Sequence, residues 1–178
     1  MLSAVGKGDL MSFSAKRNFV EQQGFRDAAA ESCGYLFPAL MFQPKLIGVL
    51  VVIGLVLQNW LFFVILSAVL WWNVLMPELN PFDALYNRLI ATPKWLPRLG
   101  RAPRPRRFAQ GMAGTFMLAI GVTLFLGWHV AAWIIEGMLV AALAALIFGK
   151  FCLGSYVFHL LRHDSGFANR TLPWVRRE

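Results

Sequence analysis

Acidic side chains are scarce in this sequence, 9 Asp and Glu against 17 Lys and Arg, and over long stretches charge of either sign is missing. Charged residues make up only 15% of the 178 and hydrophobic residues 58%, with a mean hydropathy of +0.57. A soluble domain carries about a quarter charged and roughly 45–50% apolar residues. Cysteine is nearly lacking too: Cys33 and Cys152 are too few for a disulfide scaffold or a four-cysteine zinc site. The first 35 residues carry Lys7, Asp9, Lys16, Arg17, Glu21, Arg26, Asp27 and Glu31 and lack a signal peptide's apolar segment, so internal segments must direct insertion. Phosphate-cradling glycine loops, a nucleophile elbow and HExxH are also missing, and no cofactor is expected.

What is present is two long apolar blocks. As one helix, the first, Leu46 to Met76, would span about 46 Å at ~1.5 Å per residue, against a hydrocarbon core of roughly 30 Å. Gln58-Asn59-Trp60 offers a polar turn at its midpoint, which predicts a hairpin with helices at about 42–57 and 60–76. The second block, from Phe108 to about Leu161, is again too long for one crossing. Gly127-Trp128-His129 is its natural turn, giving helices at about 108–127 and 131–149. The expected fold is therefore all-α: an integral membrane four-helix bundle of two hairpins. It divides into a polar segment 1–35, a transmembrane domain 36–161 with a basic loop 77–107, and a basic tail 162–178, with a short amphipathic helix around Phe19–Ala30.

The basic residues test this reading independently. Lys7, Lys16, Arg17, Arg26 and Lys45 lie at or before position 45. Arg88, Lys94, Arg98, Arg101, Arg104, Arg106 and Arg107 lie in the central loop, and Lys150, Arg162, Arg170, Arg176 and Arg177 follow the second hairpin. Neither turn holds one. Four crossings put all 17 on one side, which the positive-inside rule makes cytoplasmic together with both termini. The net charge of +8 then calls for anionic lipid, with Arg98, Arg101, Arg104, Arg106 and Arg107 as contacts, and not for nucleic acid.

Within the loop, Asn80-Pro81-Phe82-Asp83 reads as a helix start, and Phe82, Leu85, Tyr86, Leu89 and Ile90 recur at helical spacing, predicting a short interfacial helix. Small residues recur every fourth position at Thr115, Ala119, Thr123 and Gly127 and at Gly137, Ala141, Ala145 and Gly149. These stripes suit packing against each other or a homodimer face.

Few residues could carry chemistry. Glu136 is the one acid inside an expected span, a proton- or ion-linked candidate or an interfacial residue. Cys33 and Cys152 both fall near the cytoplasmic face, either as a redox pair or as two reduced, buried thiols. His159 and His163, four apart, form a metal-capable pair without further ligands.

Asn80-Pro81-Phe82-Asp83 with Tyr86-Asn87, Pro105-Arg106-Arg107-Phe108-Ala109-Gln110-Gly111, and Phe151-Cys152-Leu153-Gly154 together resemble a bacterial membrane-protein family catalogued as a domain of unknown function. Cys33 with Pro38 nearby also fits. The resemblance implies a bacterial inner membrane and the four-helix fold, and no established activity or cofactor. Members of that family often carry a second Cys where Ser155 stands, which weakens a Cys-x-x-Cys mechanism here. The leading expectation is a non-enzymatic accessory or scaffold protein, alone, as a homodimer or with a membrane-protein partner. The alternatives are a thiol- or sulfur-linked redox component using Cys33 and Cys152, and a dimeric small-solute transporter with Glu136 in the membrane.

Overall fold

The structure is a computed structural model that describes residues 7–25 and 30–175, the side chains of 7–12 and 30–31 apart. Among the described residues it is all-α: α1 Lys7–Gln22, α2 Ala30–Leu57, α3 Trp60–Leu75, α4 Pro81–Tyr86, α5 Arg104–Phe125, α6 His129–Ile147, α7 Leu153–Leu161 and α8 Ser165–Arg170. Three of them, α2 from Ser32, α5 and α6, are long and apolar enough to cross a membrane. The fourth expected span, α3, is apolar but shorter, at 16 residues.

Both expected turns are present, with clear local causes. Asn59 caps α3, its side-chain oxygen accepting from the Leu61 and Phe62 amides. At the end of α5, Gly127 takes φ +74 and the Trp128 amide donates to the Thr123 carbonyl at 2.8 Å, a Schellman closure that favours glycine. Asn80 caps α4 as its sequence predicts, with Pro81 at the first helical position.

Three boundaries differ from the sequence reading. α2 begins twelve residues before the expected 42 and runs through Pro38 and Pro44. Each proline removes one backbone donor, but Ala39, Leu40 and Met41 are buried between them and hold the helix. α5 begins at Arg104, with Pro105 tolerated in the first turn. α1 starts earlier than the helix expected at Phe19–Ala30, of which residues 26–29 lie outside the described residues.

α3 runs antiparallel along α5. The Trp60 carbonyl sits 3.1 Å from where a Cβ on Gly121 would lie, and Val74 sits 3.4 Å from the same position on Gly111. Between them Gly114 meets Leu70 and Trp71, and the Ser67 hydroxyl donates to the Gly114 carbonyl at 2.8 Å. The close approach in this bundle is thus α5 glycines against α3. The stripe at Gly137 does not supply it: Gly137 has nothing within 4 Å, and Thr115 and Thr123 turn their hydroxyls onto their own helix. Bare backbone next to large side chains lets two helices approach more closely than four-spaced alanines do.

Two apolar clusters stack along the helices. One lies between the spans and includes Val51, Phe63, Leu70, Met117, Ile120 and Leu139. The other lies at the loop end and includes Phe19, Val20, Cys33, Leu40, Tyr86, Leu99 and Cys152. Outside the first, Val52, Val56, Ile65, Leu75, Phe125, Ile134 and Phe148 are exposed, an apolar belt that water would not tolerate.

The described part of the N-terminal segment packs onto the rest of the protein. Phe19 and Val20 are buried, Asn18 donates to the Leu172 and Val175 carbonyls, and Gln22 holds Cys152 and His159. The tail folds back likewise through α8 and buried Thr171, while Arg176 and Arg177 lie outside the described residues.

Candidate functional site

The densest polar chemistry sits at the loop end, where three separate stretches meet. Asp83 on α4 faces Arg106 near the start of α5, and Arg106 grips both carboxylate oxygens, at 2.9 and 2.5 Å. Side-chain exposures of 5% and 8% make this a buried, bidentate ion pair. Asn80 adds a third donor to Asp83 at 3.0 Å. On the other side, Arg106 donates to Gln43 Oε1 at 2.8 Å, and Gln110 Nε2 donates to the same oxygen at 2.9 Å. Helical spacing explains the grouping: Arg106 and Gln110, four apart on α5, share the face that meets α2.

The basic run therefore splits. Arg98, Arg101 and Arg104 are exposed, Arg101 lying 3.6 Å from Glu78 in an open pair. Arg106 and Arg107, also expected at headgroups, turn to partners within the protein. Arg106 is spent on Asp83, and Arg107 donates through Nε and Nη2 to the Val74 carbonyl, capping the C-terminal end of α3. Exposure alternates within four residues because a helix turns its side chains by about 100° per residue, so a continuous basic run cannot all face lipid.

Neighbouring motif residues complete the junction. A Cβ on Gly154 would lie 2.6 Å from Ala109 Cα, so α7 packs backbone to backbone on α5. Ser155 donates to the Pro105 carbonyl at 3.3 Å. Asn87 pins the loop by pairing its amide with the Leu99 N–H and C=O at 2.8 and 2.9 Å. Burial raises the Tyr86 phenol above its ordinary range, leaving it neutral. Phe108 stacks on Phe158, and Pro81 and Phe82 belong to the α4 start.

Both cysteines are free, buried members of the loop-end cluster. The Cys152 amide donates to Gln22 Oε1 at 3.0 Å. His159 and His163 line one cavity but do not share a helix face. α7 ends at Leu161 and His163 follows in a left-handed conformation, φ +56, off the helix that carries His159. His159 is buried, and since a carbonyl only accepts, its Nε2 donates to the Gln22 carbonyl at 3.1 Å. Among the described residues no group of three or more His, Cys, Asp or Glu could hold a metal.

Glu136 lies at the opposite end. It is buried, and Gln58 Nε2 donates to both its oxygens at 3.1 and 3.2 Å, while Trp133 donates to Gln58 Oε1. The same Nε2 also donates to the Leu55 carbonyl, and this triple engagement keeps Gln58 at φ +46. Glu136 thus ties the two turns together, and it lines none of the cavities described here.

The sequence reading missed Gln43 and Gln110 as partners of the ion pair, and Phe19 and Gln23, which line a cavity with them. Four-residue spacing between Arg106 and Gln110, and a lone buried-type acid at Asp83, were the available signals.

A family model described as a domain of unknown function (DUF4395) matches residues 38–163. The chain belongs to this family. The matched residues contain the whole Gln43–Asp83–Arg106–Gln110 network, both turns and Cys152, whereas α1 and α8 lie outside them. Neither a curated protein nor a solved structure matches the chain.

Proposed function

We propose that this DUF4395 member is a four-crossing protein of a bacterial inner membrane, with both ends and the central loop cytoplasmic, acting as a non-enzymatic accessory or scaffold protein. In this reading α2, α3, α5 and α6 form two hairpins. The observation that supports it is the antiparallel fit of α3 along α5, from Val74 at Gly111 to Trp60 at Gly121, which lays the shorter helix beside one long enough to cross. At about 24 Å α3 is slightly short for the bilayer, and Trp60, Trp71 and Trp72 at its ends suit the interfaces.

The scaffold assignment rests on how the chemically capable groups are used. Arg106, Asp83, Glu136 and His159 are all engaged in bonds between elements. The exposed Arg98, Arg101 and Arg104 remain for anionic headgroups. Reporter fusions at residues 58–60 and 127–130 test the topology: external signals at both support it, and a cytoplasmic signal at either rejects it.

A second reading, a thiol-linked redox component, is favoured by one observation: Cys33 and Cys152 occupy the same buried cluster. Mild oxidation with diamide followed by non-reducing peptide mass spectrometry decides it. An intramolecular Cys33–Cys152 bridge supports the pair mechanism, and two free thiols reject it.

A further inference from the structure

The orientation of two buried amides at the loop end is fixed by chemistry. Arginine only donates, so Gln43 must turn its oxygen to Arg106, and the Gln110 amide nitrogen must then meet that same oxygen. What is left over is a matched remainder: Gln43 Nε2, a donor, and Gln110 Oε1, an acceptor, both buried and both without a partner. The two residues are 3% and 7% exposed. Leaving such groups unpaired is costly, so each calls for an occupant.

Both side chains line a cavity of about 80 Å³, otherwise walled mainly by apolar residues of α1, α2, α3, α5 and α6. A second cavity of about 130 Å³ adjoins it, sharing Ala109, Ala113, Leu143, Leu146 and Cys152 as walls and extending to Met112 and Met138. For scale, a cavity of about 150 Å³ accommodates a benzene ring. A charged occupant is disfavoured, because the Arg106 charge is already matched by Asp83 and the remaining wall is apolar. A purely apolar one would leave both amides unpaired.

We propose that the two cavities together form a binding site for a small uncharged molecule, its apolar body reaching into the larger one and a hydroxyl-type head that accepts from Gln43 Nε2 and donates to Gln110 Oε1. Cys152 lines both cavities and reports occupancy. Phe19 and Gln23 close the chamber from the N-terminal side, outside the residues matched by the family. The site stands independently of the topology and scaffold reading.

The test uses the full-length protein in nanodiscs with phenol and benzene as probes, which differ only by the hydroxyl. Alkylation by N-ethylmaleimide is read peptide by peptide, with Cys33, which lines neither cavity, as internal reference. Phenol is expected to slow Cys152 alkylation relative to Cys33 at least threefold more than benzene does. Gln110→Met, which keeps the volume and removes the acceptor, is expected to abolish that difference. Equal protection by both probes, protection by neither, or full phenol protection in Gln110→Met overturns the proposal and leaves water as the occupant. Should Gln110→Met fail to fold, the phenol–benzene difference in the unaltered protein decides.

Discussion

Arg106 and Asp83, 23 residues apart, close the central loop onto the bundle through two parallel hydrogen bonds to one carboxylate. Removing one partner leaves the other charge buried and alone, at a cost of about 3–5 kcal/mol. Arg106→Gln and Asp83→Asn are each expected to lower the thermal midpoint in detergent sharply and to reduce the amount of protein recovered from membranes. Arg106→Lys fails too, since an ammonium cannot span both oxygens. The double variant Arg106→Met with Asp83→Leu is expected to be more stable than either single one, and a double variant worse than both would refute the pairing.

The glycines of α5 and α7 separate close packing from mere smallness. Gly121→Ala sets a methyl 2.8 Å from Val64 Cγ2, and Gly154→Ala sets one 2.6 Å from the Ala109 backbone. Each is expected to cost about 1–3 kcal/mol by overpacking. Gly137→Ala meets open space and is expected to be neutral or stabilising by up to about 1 kcal/mol. Thermal unfolding of the three variants checks the order. A loss at Gly137 equal to that at Gly121 would return the packing to the stripe expected from the sequence.

At the other end, Glu136 needs only to accept from Gln58. Glu136→Gln retains a carbonyl acceptor and is expected to be close to neutral. Glu136→Leu leaves Gln58 short of a partner and is expected to destabilise by about 1–3 kcal/mol. Equal losses in the two variants would show that the charge itself is required.

Asn73 is fully buried on α3 with neither side-chain atom partnered. Replacing an unsatisfied amide with an apolar group removes that penalty. Asn73→Leu is therefore expected to raise the thermal midpoint, and a lowered midpoint would reveal a partner for the amide.

Span length and polar breaks made both turns legible, because Gln58-Asn59 and Gly127 carry their own capping chemistry. The start of α4 at Asn80 was legible for the same reason. The beginning of α2 was not, since Pro38 and Pro44 read as stops and only the burial of Ala39, Leu40 and Met41 overrides them. The candidate site was half legible. The motif residues were in view, but a run of arginines has the same composition whether it faces headgroups or a carboxylate, and only the partner at Asp83 assigns Arg106 inward. A helix near Phe19 was legible, but its packing was not, because Asn18 and Gln22 are buried by hydrogen bonding to distant backbone rather than by apolar character.

That last contact has a consequence in time. Asn18 bonds the carbonyl of Leu172, 154 residues later. At a synthesis rate of about 5–20 residues per second, roughly 8–30 s separate the making of these two residues. Phe19, by contrast, meets Phe37 of α2, so α1 can settle on α2 well before that bond forms. The bond to Leu172 thus locks a helix that is already seated.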